Sequence, residues 1–414
     1  MTRRARPEES QGQGSNSDRQ PVWAVIAGGG TAGHIHPGLA VARALVRRGH
    51  EPETIHFVGS ARGVEQDLVP AAGFELTLLP GRGIRRRLTW QNLSSAWGLA
   101  QAVVQAVRLL RRLQPAVVLG LGGYASVPCA LAARLLRIPL VVAEQNAVPG
   151  LANRLAGRWA RASAVSFPRT RLPRSVLTGN PVRDEVQGVS RESGRSAARA
   201  ALGVEEGRRL VAVVSGSLGA ARINRAAFEA AQRWADRDDL AVHHVVGRRD
   251  WQELAHLRPD LSEAALDYRA VAYENDMPRV YAAADLMVGR AGASSVAELA
   301  VVGLASVLVP LPGAPGDHQT ANASQLAALG GAVLVPDGEM DGDRMVAEVD
   351  NLLKVPGLLN AMGREAANLG RRDADNRVAD LLEKHARDPH HDQQALLGRF
   401  MGQKHARDPL HDQQ

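Results

Sequence analysis

The stretch from Gly28 to Gly38, GGGTAGHIHPG, most constrains what this chain can fold into. An apolar run, Val22 to Ala27, precedes it, and a helical pattern of apolar residues, Leu39 to Val46, follows it. This order predicts a strand, a glycine turn and a helix whose first residue is Pro37. Glycines let the backbone approach a ligand closely, and the free amides of a helix N-terminus attract anions. We therefore expect this loop to face a phosphate group.

His34 lies between the glycines and the predicted helix. Its unperturbed pKa is the nearest of all side chains to neutrality, and histidine is the commonest general base. The same loop also matches GxGxxG, the fingerprint of dinucleotide-binding proteins. An NAD enzyme would carry an acid at the end of the second strand, but residues 57–60 read FVGS. Arg62 would suit a 2′-phosphate, so an NADP-dependent oxidoreductase stays open as an alternative.

The length and the cysteine content bound the class of protein. A chain of 414 residues predicts two domains of roughly 150 to 200 residues each. Cys129 is the only cysteine, which excludes a disulfide framework and favours a reducing compartment. Residues 1–20 are polar and lack the apolar core of a secretory signal, so we expect a disordered N-terminal arm.

Positive charge is concentrated between Leu76 and Arg183, a segment with sixteen arginines and one acid, Glu144. The segment carries about +15 and the remainder about −8. A basic surface attracts phosphate backbones or the anionic leaflet of a membrane. Nucleic-acid binding would call for aromatic residues between the arginines, but aromatic residues make up only 4% of the chain. We therefore predict a membrane surface as the partner, and no nucleic acid.

Apolar runs of strand length alternate with helical patterns, which predicts parallel α/β units. In the first half the predicted strands are Val22 to Ala27, Thr54 to Val58, Glu75 to Leu79, Ala116 to Gly120 and Pro139 to Ala143. After a polar connection, a second series starts with a strand at Leu210 to Val214 and a small-residue loop, SGSLG. Two Rossmann-like, doubly wound halves would place a ligand cleft between them, at the C-terminal ends of both sheets.

One uncharged stretch, Pro115 to Ala133, is long enough to suggest a membrane span. Glycines and a proline in its middle favour a strand, a loop and a helix instead. Near the end of the chain, KHARDPHHDQQ from Lys384 recurs as KHARDPLHDQQ from Lys404. We interpret this repeat as an unstructured, low-complexity tail rather than as a metal site.

Further loops follow predicted strands and carry small or polar residues. GLGGYAS, residues 120–126, again sets glycines before a helix, which fits either an anion site or a tight turn. Glu144, Gln145 and Asn146 follow a buried strand, where ligands bind in such sheets, although helix capping also explains Asn146. In the second half, RAGASSVAE (290–298) would let a nucleotide lie against the backbone, and GDHQTAN (316–322) offers groups for a polyhydroxylated ligand.

Motifs for metal, thiol and serine-hydrolase chemistry are absent from the sequence, which lacks a Walker lysine motif, CxxC, HExxH and GxSxG. DxD pairs occur, among them Asp236 with Asp238 and Asp373 with Asp375. Metal-using sugar transferases place such a pair directly after a buried strand, but both pairs lie in charged stretches that we expect to be exposed. We therefore predict no metal and no cofactor.

Seven motifs in order resemble one family: GGGTAGHIHPGLAVA, GLGGYAS, EQNAVPGLANR, TGNPVR, SGSLGA, RAGASSVAELA and GDHQTANA. They are similar to the MurG family of bacterial N-acetylglucosaminyltransferases, from about Val22 to about Val378. The resemblance implies a GT-B fold, with a C-terminal helix that crosses back to the first domain. It also implies UDP-N-acetylglucosamine (UDP-GlcNAc) as donor, lipid I as acceptor, and a β-1,4 bond formed with inversion to give lipid II.

The resemblance divides the chain at numbered boundaries. These are a disordered arm at 1–20, an acceptor and membrane-associating domain at 21–183, a UDP-GlcNAc-binding domain at 184–364, a crossing helix at 365–384 and the duplicated tail at 385–414. For the general base of such a transfer we predict His34, with Glu144 as second choice or orienting partner. The acceptor's pyrophosphate would be met by glycine-loop residues: Gly29, Gly30, Gly122, Gly123 and Tyr124.

The donor site implied by the resemblance draws on both halves of the chain, and at Glu274 only the backbone is implicated. Its residues are Thr31, Ala32, Gly33, Asn146, Arg183, Ser217, Glu274, Gly292, Ala293, Ser294, Ser295, Val296, Ala297, Glu298 and Gln319. Two departures from the family pattern are Ala32, where glycine is frequent, and Gly316, where an acid is frequent. Neither removes a group with a proposed chemical role.

A lipid acceptor would also explain the charge asymmetry. Basic and apolar residues stand together between Gly81 and Leu113, as on surfaces that bind at a membrane interface. We predict a membrane patch on the cytoplasmic side, made of Arg85, Arg86, Arg87, Trp90 and Trp97; a core position for Trp97 is the competing interpretation. Two more functions fit the same motifs: a GT-B transferase with a different lipid-linked or natural-product acceptor, and a non-catalytic nucleotide-sugar-binding protein.

Overall fold

The computed structural model describes residues 21–30, 32–61, 63–80 and 91–387. The predicted arm at 1–20 and the tail from residue 388 onward lie outside these residues. Several residues singled out above also lie outside them: Thr31, Arg62, Arg85, Arg86, Arg87 and Trp90. Ala32 and Trp97 belong to helices, but the description does not extend to their side chains.

The first domain alternates strands and helices. Their bounds are β1 (Ala24–Ala27), α1 (Ala32–Arg47), β2 (Ile55–Ser60), α2 (Glu65–Ala71), β3 (Glu75–Leu79), α3 (Gln91–Leu113), β4 (Val117–Gly120), α4 (Ser126–Leu135), β5 (Leu140–Glu144), α5 (Leu151–Ala156), β6 (Ala162–Val165) and β7 (Ser175–Leu177). All seven strands pair in parallel, in the order β3-β2-β1-β4-β5-β6-β7. The central strands β1 and β4 are apolar along their whole length, and β5 is apolar up to its last residue, because helices cover both faces of the sheet.

The second domain repeats this plan. Its elements and the last helix are α6 (Asp184–Gln187), α7 (Arg191–Ala201), β8 (Arg209–Val214), α8 (Ala221–Arg233), β9 (Leu240–Val245), α9 (Arg248–Glu253), β10 (Asp267–Val271), α10 (Met277–Ala283), β11 (Leu286–Gly289), α11 (Ala293–Val302), β12 (Ser306–Leu308), α12 (His318–Ala327), β13 (Ala332–Leu334), α13 (Gly342–Lys354), α14 (Leu358–Leu369) and α15 (Ala374–His385). Its six strands are parallel, in the order β10-β9-β8-β11-β12-β13. The predicted α/β architecture of two Rossmann-like domains is therefore confirmed.

Each sheet reverses its strand order at one pair of neighbouring strands. In the first sheet this pair is β1 and β4, and Ala27 pairs with Gly120 where the two strands end. In the second sheet the pair is β8 and β11, and Val214 pairs with Gly289. Loops that leave such strands diverge and open a crevice at the C-terminal edge of the sheet, which is where α/β folds bind ligands. Four of the predicted site loops directly follow the strands of these two pairs, one after each strand.

The first helix begins earlier than predicted. It starts at Ala32, so Pro37 lies inside the helix and not at its first position, and His34 lies in the first turn. Because proline lacks an N–H, the carbonyl of Gly33 loses the helical donor that residue 37 would otherwise supply. The loss is confined to one hydrogen bond near the helix start, where the first amides are unpaired in any case. The sequence pattern missed these residues because glycine and histidine contribute no apolar periodicity.

The last helix, α15, packs on the first domain although it follows the second in the chain. Val378, Ala379 and Leu382 are fully buried in the same core cluster as Ile26 of β1. In contrast, α14 packs against α11 and α13 of the second domain. The crossing thus occurs around Gly370, a few residues later than the predicted boundary at 365, because the helix before it completes the second core.

Ion pairs fix α15 to α1 and to the connection between the domains. Arg47 of α1 lies 2.5 Å from Asp375 of α15 and 3.0 Å from Asp184 of α6. Arg48 pairs with Asp380 and Glu383 on the same helix. Asp375 is fully buried, so the prediction that this DxD pair is exposed was wrong for Asp375. Asp375 can be buried because its charge is paired with Arg47 across the interface between α1 and α15.

The uncharged stretch from Pro115 to Ala133 forms β4, a loop and most of α4, as predicted. Across the described ranges, every helix falls short of a bilayer-spanning segment in length, apolarity or both.

Candidate active site in the interdomain cleft

Two glycine loops lie side by side at the end of the first sheet. The first follows β1 and the second follows β4. Gly122 and Gly123 of the second loop have φ angles of 87° and 76°, which favour glycine. A methyl group on Gly123 would collide with the carbonyl of Gly29, so the close approach of the loops also requires glycine. The structure thus brings the predicted pyrophosphate-site glycines together, and Tyr124 is held nearby by a 3.1 Å bond from its hydroxyl to the carbonyl of Pro80.

His34 lies against the second glycine loop. A methyl group on Gly122 would come within 3.5 Å of His34 Nε2. Burial lowers the pKa of His34 below its ordinary value; the charges of Glu144 and Glu65 act to raise it, and His318 acts to lower it. Since His318 belongs to α12, groups from both domains act on this one imidazole. His34 is therefore neutral at neutral pH, the state in which an imidazole accepts a proton.

Glu144 ends β5 with only 3% of its surface exposed. Its Oε1 accepts a hydrogen bond from the amide of Asn146 at 3.0 Å. Its Oε2 accepts bonds from the amide of Gly150 at 2.9 Å and from the side chain of Asn153 at 3.0 Å. The carboxylate therefore organises the whole EQNAVPG loop. With both oxygens engaged, it is better suited to orienting neighbours than to taking a proton from a substrate.

Asn322 joins the two domains at the floor of the cleft. Its Oδ1 accepts a 2.8 Å hydrogen bond from the amide of Ala147, and its Nδ2 donates to Asn146 Oδ1 at 3.2 Å and to the carbonyl of Ala291 at 3.2 Å. Asn322 is fully buried. Together, these three hydrogen bonds connect the two domains. Through them, the loop after β5 in the first domain and the loop after β11 in the second are held at a fixed separation.

Glu298 and Arg183, both predicted donor-site residues, form a pair. Arg183 Nη2 lies 3.3 Å from Glu298 Oε1, and the hydroxyl of Tyr281 donates to Glu298 Oε2 at 2.7 Å. Glu298 is 9% exposed, so it is not an ordinary surface glutamate. Sequence reasoning missed Tyr281, because a tyrosine one helix away in the chain carries no motif that points to Glu298.

The N-terminus of α11 supplies the remaining predicted contacts of this region. Gly292 caps the helix, so the amides that follow it, from Ala293 to Ser295, point out of its first turn. Val296 is fully buried in the domain core, so it can reach a ligand only through its backbone. Gln319 Oε1 accepts a 3.0 Å bond from the amide of Leu311, which leaves the NH₂ group of Gln319 as the donor that the loop can offer.

A buried polar network supports the SGSLG loop, in which Ser217 is exposed. Asn224 Oδ1 accepts from the Ser215 hydroxyl at 2.6 Å and from His244 Nε2 at 2.9 Å, and Asn224 Nδ2 donates to Asp250 at 2.8 Å. His244 Nδ1 in turn accepts a hydrogen bond from the hydroxyl of Tyr268, so the ring is the neutral tautomer with its proton on Nε2. Burial lowers the pKa of His244 to about 3. Sequence reasoning missed this network, because its members lie on four separate helices and strands and on the loop after β8.

Glu274 lies in the loop after β10, the edge strand of the second sheet, and its side chain is held by two contacts. Its Oε2 lies 3.1 Å from His243 Nε2, and its Oε1 accepts a 2.8 Å bond from the amide of Asp276. Both carboxylate oxygens are therefore engaged within the protein, one by β9 and one by the loop that contains Glu274. Next to it, the guanidinium of Arg248 stacks 4.2 Å from the ring centre of Tyr273, which is 41% exposed. This pair offers a flat, exposed surface beside the predicted nucleotide site.

Comparison with known proteins places this geometry in a family. Residues 24–165 match the Glycosyltransferase family 28 N-terminal domain, and residues 210–378 match its C-terminal domain. A relative from Acidothermus cellulolyticus is 44% identical over 362 residues, which cover 87% of this chain and 97% of that protein. A relative from a Nocardioides species is 42% identical and covers 86% and 96%. Both are named UDP-N-acetylglucosamine–N-acetylmuramyl-(pentapeptide) pyrophosphoryl-undecaprenol N-acetylglucosamine transferase.

Solved structures agree with these sequence matches. The crystal structure of Acinetobacter baumannii MurG is 29% identical, with a TM-score of 0.70 and coverage of 87% of this chain and 99% of that one. A putative UDP-N-acetylglucosamine 2-epimerase from Listeria monocytogenes is 14% identical with a TM-score of 0.62, and so shares the fold alone. The resemblance inferred from the seven motifs is thus confirmed, and it removes the case for an oxidoreductase. The chain has the GT-B fold and belongs to glycosyltransferase family 28, within its MurG group.

Proposed function

We propose that the chain transfers N-acetylglucosamine from UDP-GlcNAc to the C4 hydroxyl of the N-acetylmuramyl group in lipid I, giving lipid II. The observation that carries the proposal is the convergence of His34, from the first domain, with the Arg183–Glu298 pair and the α11 N-terminus on one cleft. Relatives that align over nearly their whole length carry this activity in their names. A cleft with a proton acceptor on one wall and anion-binding amides on the other suits sugar transfer from a nucleotide.

In this reaction His34 takes the proton of the acceptor's C4 hydroxyl as that oxygen attacks the anomeric carbon of the donor. The new bond joins the oxygen to C1, and the bond from C1 to the β-phosphate oxygen breaks on the opposite face. UDP leaves with the electron pair, so the configuration at C1 inverts. Glu144 holds the loop beside the imidazole and, as a nearby carboxylate, favours the protonated ring that results.

Charge that develops on the leaving UDP is met without a cofactor. Arg183, Ser217 and the amides of Gly292 to Ser295 are the groups suited to the phosphates. Glu298 would accept the ribose hydroxyls. Donor contacts from Thr31, Ala32 and Gly33, and from Asn146, Ala297, Gln319 and the Glu274 backbone, complete the proposed site.

The acceptor would lie on the first domain. Its pyrophosphate faces the second glycine loop, with Gly122, Gly123 and Tyr124, and the first loop with Gly29 and Gly30. The lipid would extend from there to the anionic cytoplasmic leaflet, where a peripheral membrane patch of Arg85, Arg86, Arg87, Trp90 and Trp97 docks.

The membrane contact has a direct test. Reversal of Arg85, Arg86 and Arg87 to glutamate should abolish sedimentation with anionic vesicles at low salt, while donor binding stays normal. A matched control reverses Arg225, Arg258 and Arg364, which lie on the second domain. Unchanged binding of the first variant would exclude the patch.

The transfer itself is tested with radiolabelled UDP-GlcNAc and lipid I. We expect label in a product with the mobility of lipid II, and none when lipid I is omitted. Transfer to a soluble natural-product aglycone but not to lipid I would favour the alternative GT-B function. Binding of UDP-GlcNAc without transfer to either acceptor would favour a nucleotide-sugar-binding protein.

A further inference from the structure

A buried carboxylate already occupies the first glycine loop. Glu65, the first residue of α2, is 1% exposed. Its Oε1 and Oε2 lie 3.2 and 3.1 Å from the amide nitrogen of Gly30. Oε1 also accepts bonds from the amide of Ser60 at 2.8 Å and from the Ser60 hydroxyl at 2.9 Å. The amide that the sequence assigned to a phosphate therefore donates to a group of the protein itself.

The surrounding backbone is shaped for this carboxylate. Methyl groups on Gly29 and Gly63 would overlap its oxygens, and a methyl group on Gly59 would lie 2.6 Å from Glu65 Cγ. Gly29 and Gly63 from two loops and Gly59 from the end of β2 thus leave the space that one side chain fills. Gly29 of GGGTAG is therefore needed in part because the Glu65 carboxylate lies against it, independent of any ligand.

The carboxylate is charged and acts on the proposed base. Burial acts to raise the pKa of Glu65, but hydrogen bonds from Ser60 and Gly30 outweigh it, so the pKa lies below its ordinary value. The charge of Glu65 in turn acts to raise the pKa of His34, as does that of Glu144, while His318 and burial oppose them. Since His34 would gain a proton during transfer, a fixed negative charge nearby stabilises the product of that step.

We propose that Glu65 is a positioning residue for sugar transfer: it holds the first glycine loop through Gly30 and supplies negative charge that favours proton uptake by His34. It touches neither substrate. It also takes the Gly30 amide out of the set available to the acceptor's pyrophosphate, so that the second loop carries most of that contact. The inference rests on the proposed role of His34 only where it concerns catalysis.

The first test replaces Glu65 by glutamine, which removes the charge with little change of shape. In the resting enzyme, NMR titration of the His34 imidazole should give a pKa lower by about 0.5 to 1 unit than in the unmodified protein. Turnover should fall about tenfold and the acid limb of kcat/KM should move to lower pH, with the KM for UDP-GlcNAc unchanged. An unchanged His34 titration would overturn the proposal.

Two control variants separate charge from packing. Ser60→Ala removes a hydrogen bond of the carboxylate but leaves its charge, so it should lower stability without moving the acid limb. Glu75→Gln removes a charge on β3, where Glu75 pairs with His56 at 3.3 Å, and should leave His34 unaffected. If either control shifts the His34 titration as much as Glu65→Gln, the effect is general and the proposal fails.

Hydrogen exchange tests the contact with Gly30 by itself. Glu65→Asp keeps the charge but is one methylene shorter, so the Gly30 amide should exchange faster in this variant. Equal protection of Gly30 in both proteins would contradict the positioning role, even if Glu65→Gln did not fold. Neither the titration nor the exchange measurement requires transfer. An absence of lipid II synthesis would therefore overturn the proposed function and the catalytic part of this inference, but not the hold of Glu65 on Gly30 or its effect on His34.

Discussion

Tyr281 donates a 2.7 Å hydrogen bond to the same carboxylate, Glu298, that Arg183 reaches at 3.3 Å from the other side. Tyr281 is fully enclosed, and burial together with the charge of Glu298 raises the pKa of its phenol well above the ordinary value. The phenol is therefore a permanent donor. One oxygen of Glu298 is fixed by Tyr281 and the other by Arg183, so the direction in which the carboxylate presents its remaining lone pairs is set by two residues from different elements.

Tyr281→Phe should raise the KM for UDP-GlcNAc about tenfold with a small change in kcat, because a buried hydrogen bond to a charged group contributes roughly 1.5 to 3 kcal/mol. Discrimination between UDP-GlcNAc and its 2′-deoxy analogue should also shrink, since the carboxylate no longer points at the ribose. Steady-state kinetics with both donors measures this. Tyr273→Phe, which keeps an exposed ring, is the control; undiminished discrimination in Tyr281→Phe would exclude a ribose role for Glu298.

His34→Ala should reduce turnover by about 100-fold or more, the usual contribution of a general base. Donor binding should persist, as measured by calorimetry with UDP-GlcNAc. Because burial holds the pKa of His34 below its ordinary value, the unmodified enzyme should lose activity only in acid, and this acid limb should vanish in the variant. Turnover within a few-fold of the unmodified enzyme would remove His34 from the mechanism.

Arg47→Met should destabilise the protein by about 1 to 3 kcal/mol, since it leaves the buried carboxylate of Asp375 without its partner. The range extends down to about 1 kcal/mol because Arg47 is 45% exposed, so solvent screens its attraction to Asp375. Urea unfolding measures the effect. Arg43→Met is the matched control: its partner Glu185 is 59% exposed at 3.6 Å, so the loss should stay below about 1 kcal/mol. Equal losses in the two variants would contradict the buried pairing.

Acid should destabilise the protein through His244. Its pKa is about 3 in the folded protein, against about 6.5 in an unfolded chain, so the unfolded state binds a proton first as the pH falls. Stability from this group is complete above pH 6.5 and is lost toward pH 3, at up to about 1.4 kcal/mol per pH unit. Unfolding free energies at pH 7, 6 and 5 should fall less steeply for His244→Gln. Parallel slopes would show that His244 does not titrate on unfolding.

Periodicity and turn residues predicted five of the seven strands of the first sheet and the first strand of the second, because these buried strands are mostly apolar and end in loops of small or polar residues. They did not predict the short edge strands β6 and β7. The same signals located the loops at the switch points. They failed where a polar or irregular residue lies inside an element, as at Pro37, or where a charge is buried, as at Asp375. A local pattern contains no information on the partner that satisfies such a group.

The site was predictable in its residues but not in their connections. The motifs named His34, Glu144 and Asn146, and the resemblance supplied their roles. No local pattern indicated that Glu65 fills the first loop or that Asn322 joins the two domains, because these contacts link residues 35 and 175 positions apart. Long-range hydrogen bonds of this kind follow from the fold, so they become visible only when the strands have been assembled.

The crossing of α15 has a consequence for synthesis. The core of the first domain is completed by Val378, Ala379 and Leu382, residues that leave the ribosome after the whole second domain. Until then a growing chain would expose the apolar face of α1, which contains Val41 and Leu45. The first domain therefore cannot finish folding while it emerges, although domains commonly fold in order from the N-terminus. A ribosome stalled before residue 374 would hold a glycosyltransferase whose two halves are built but whose first half remains open to chaperones.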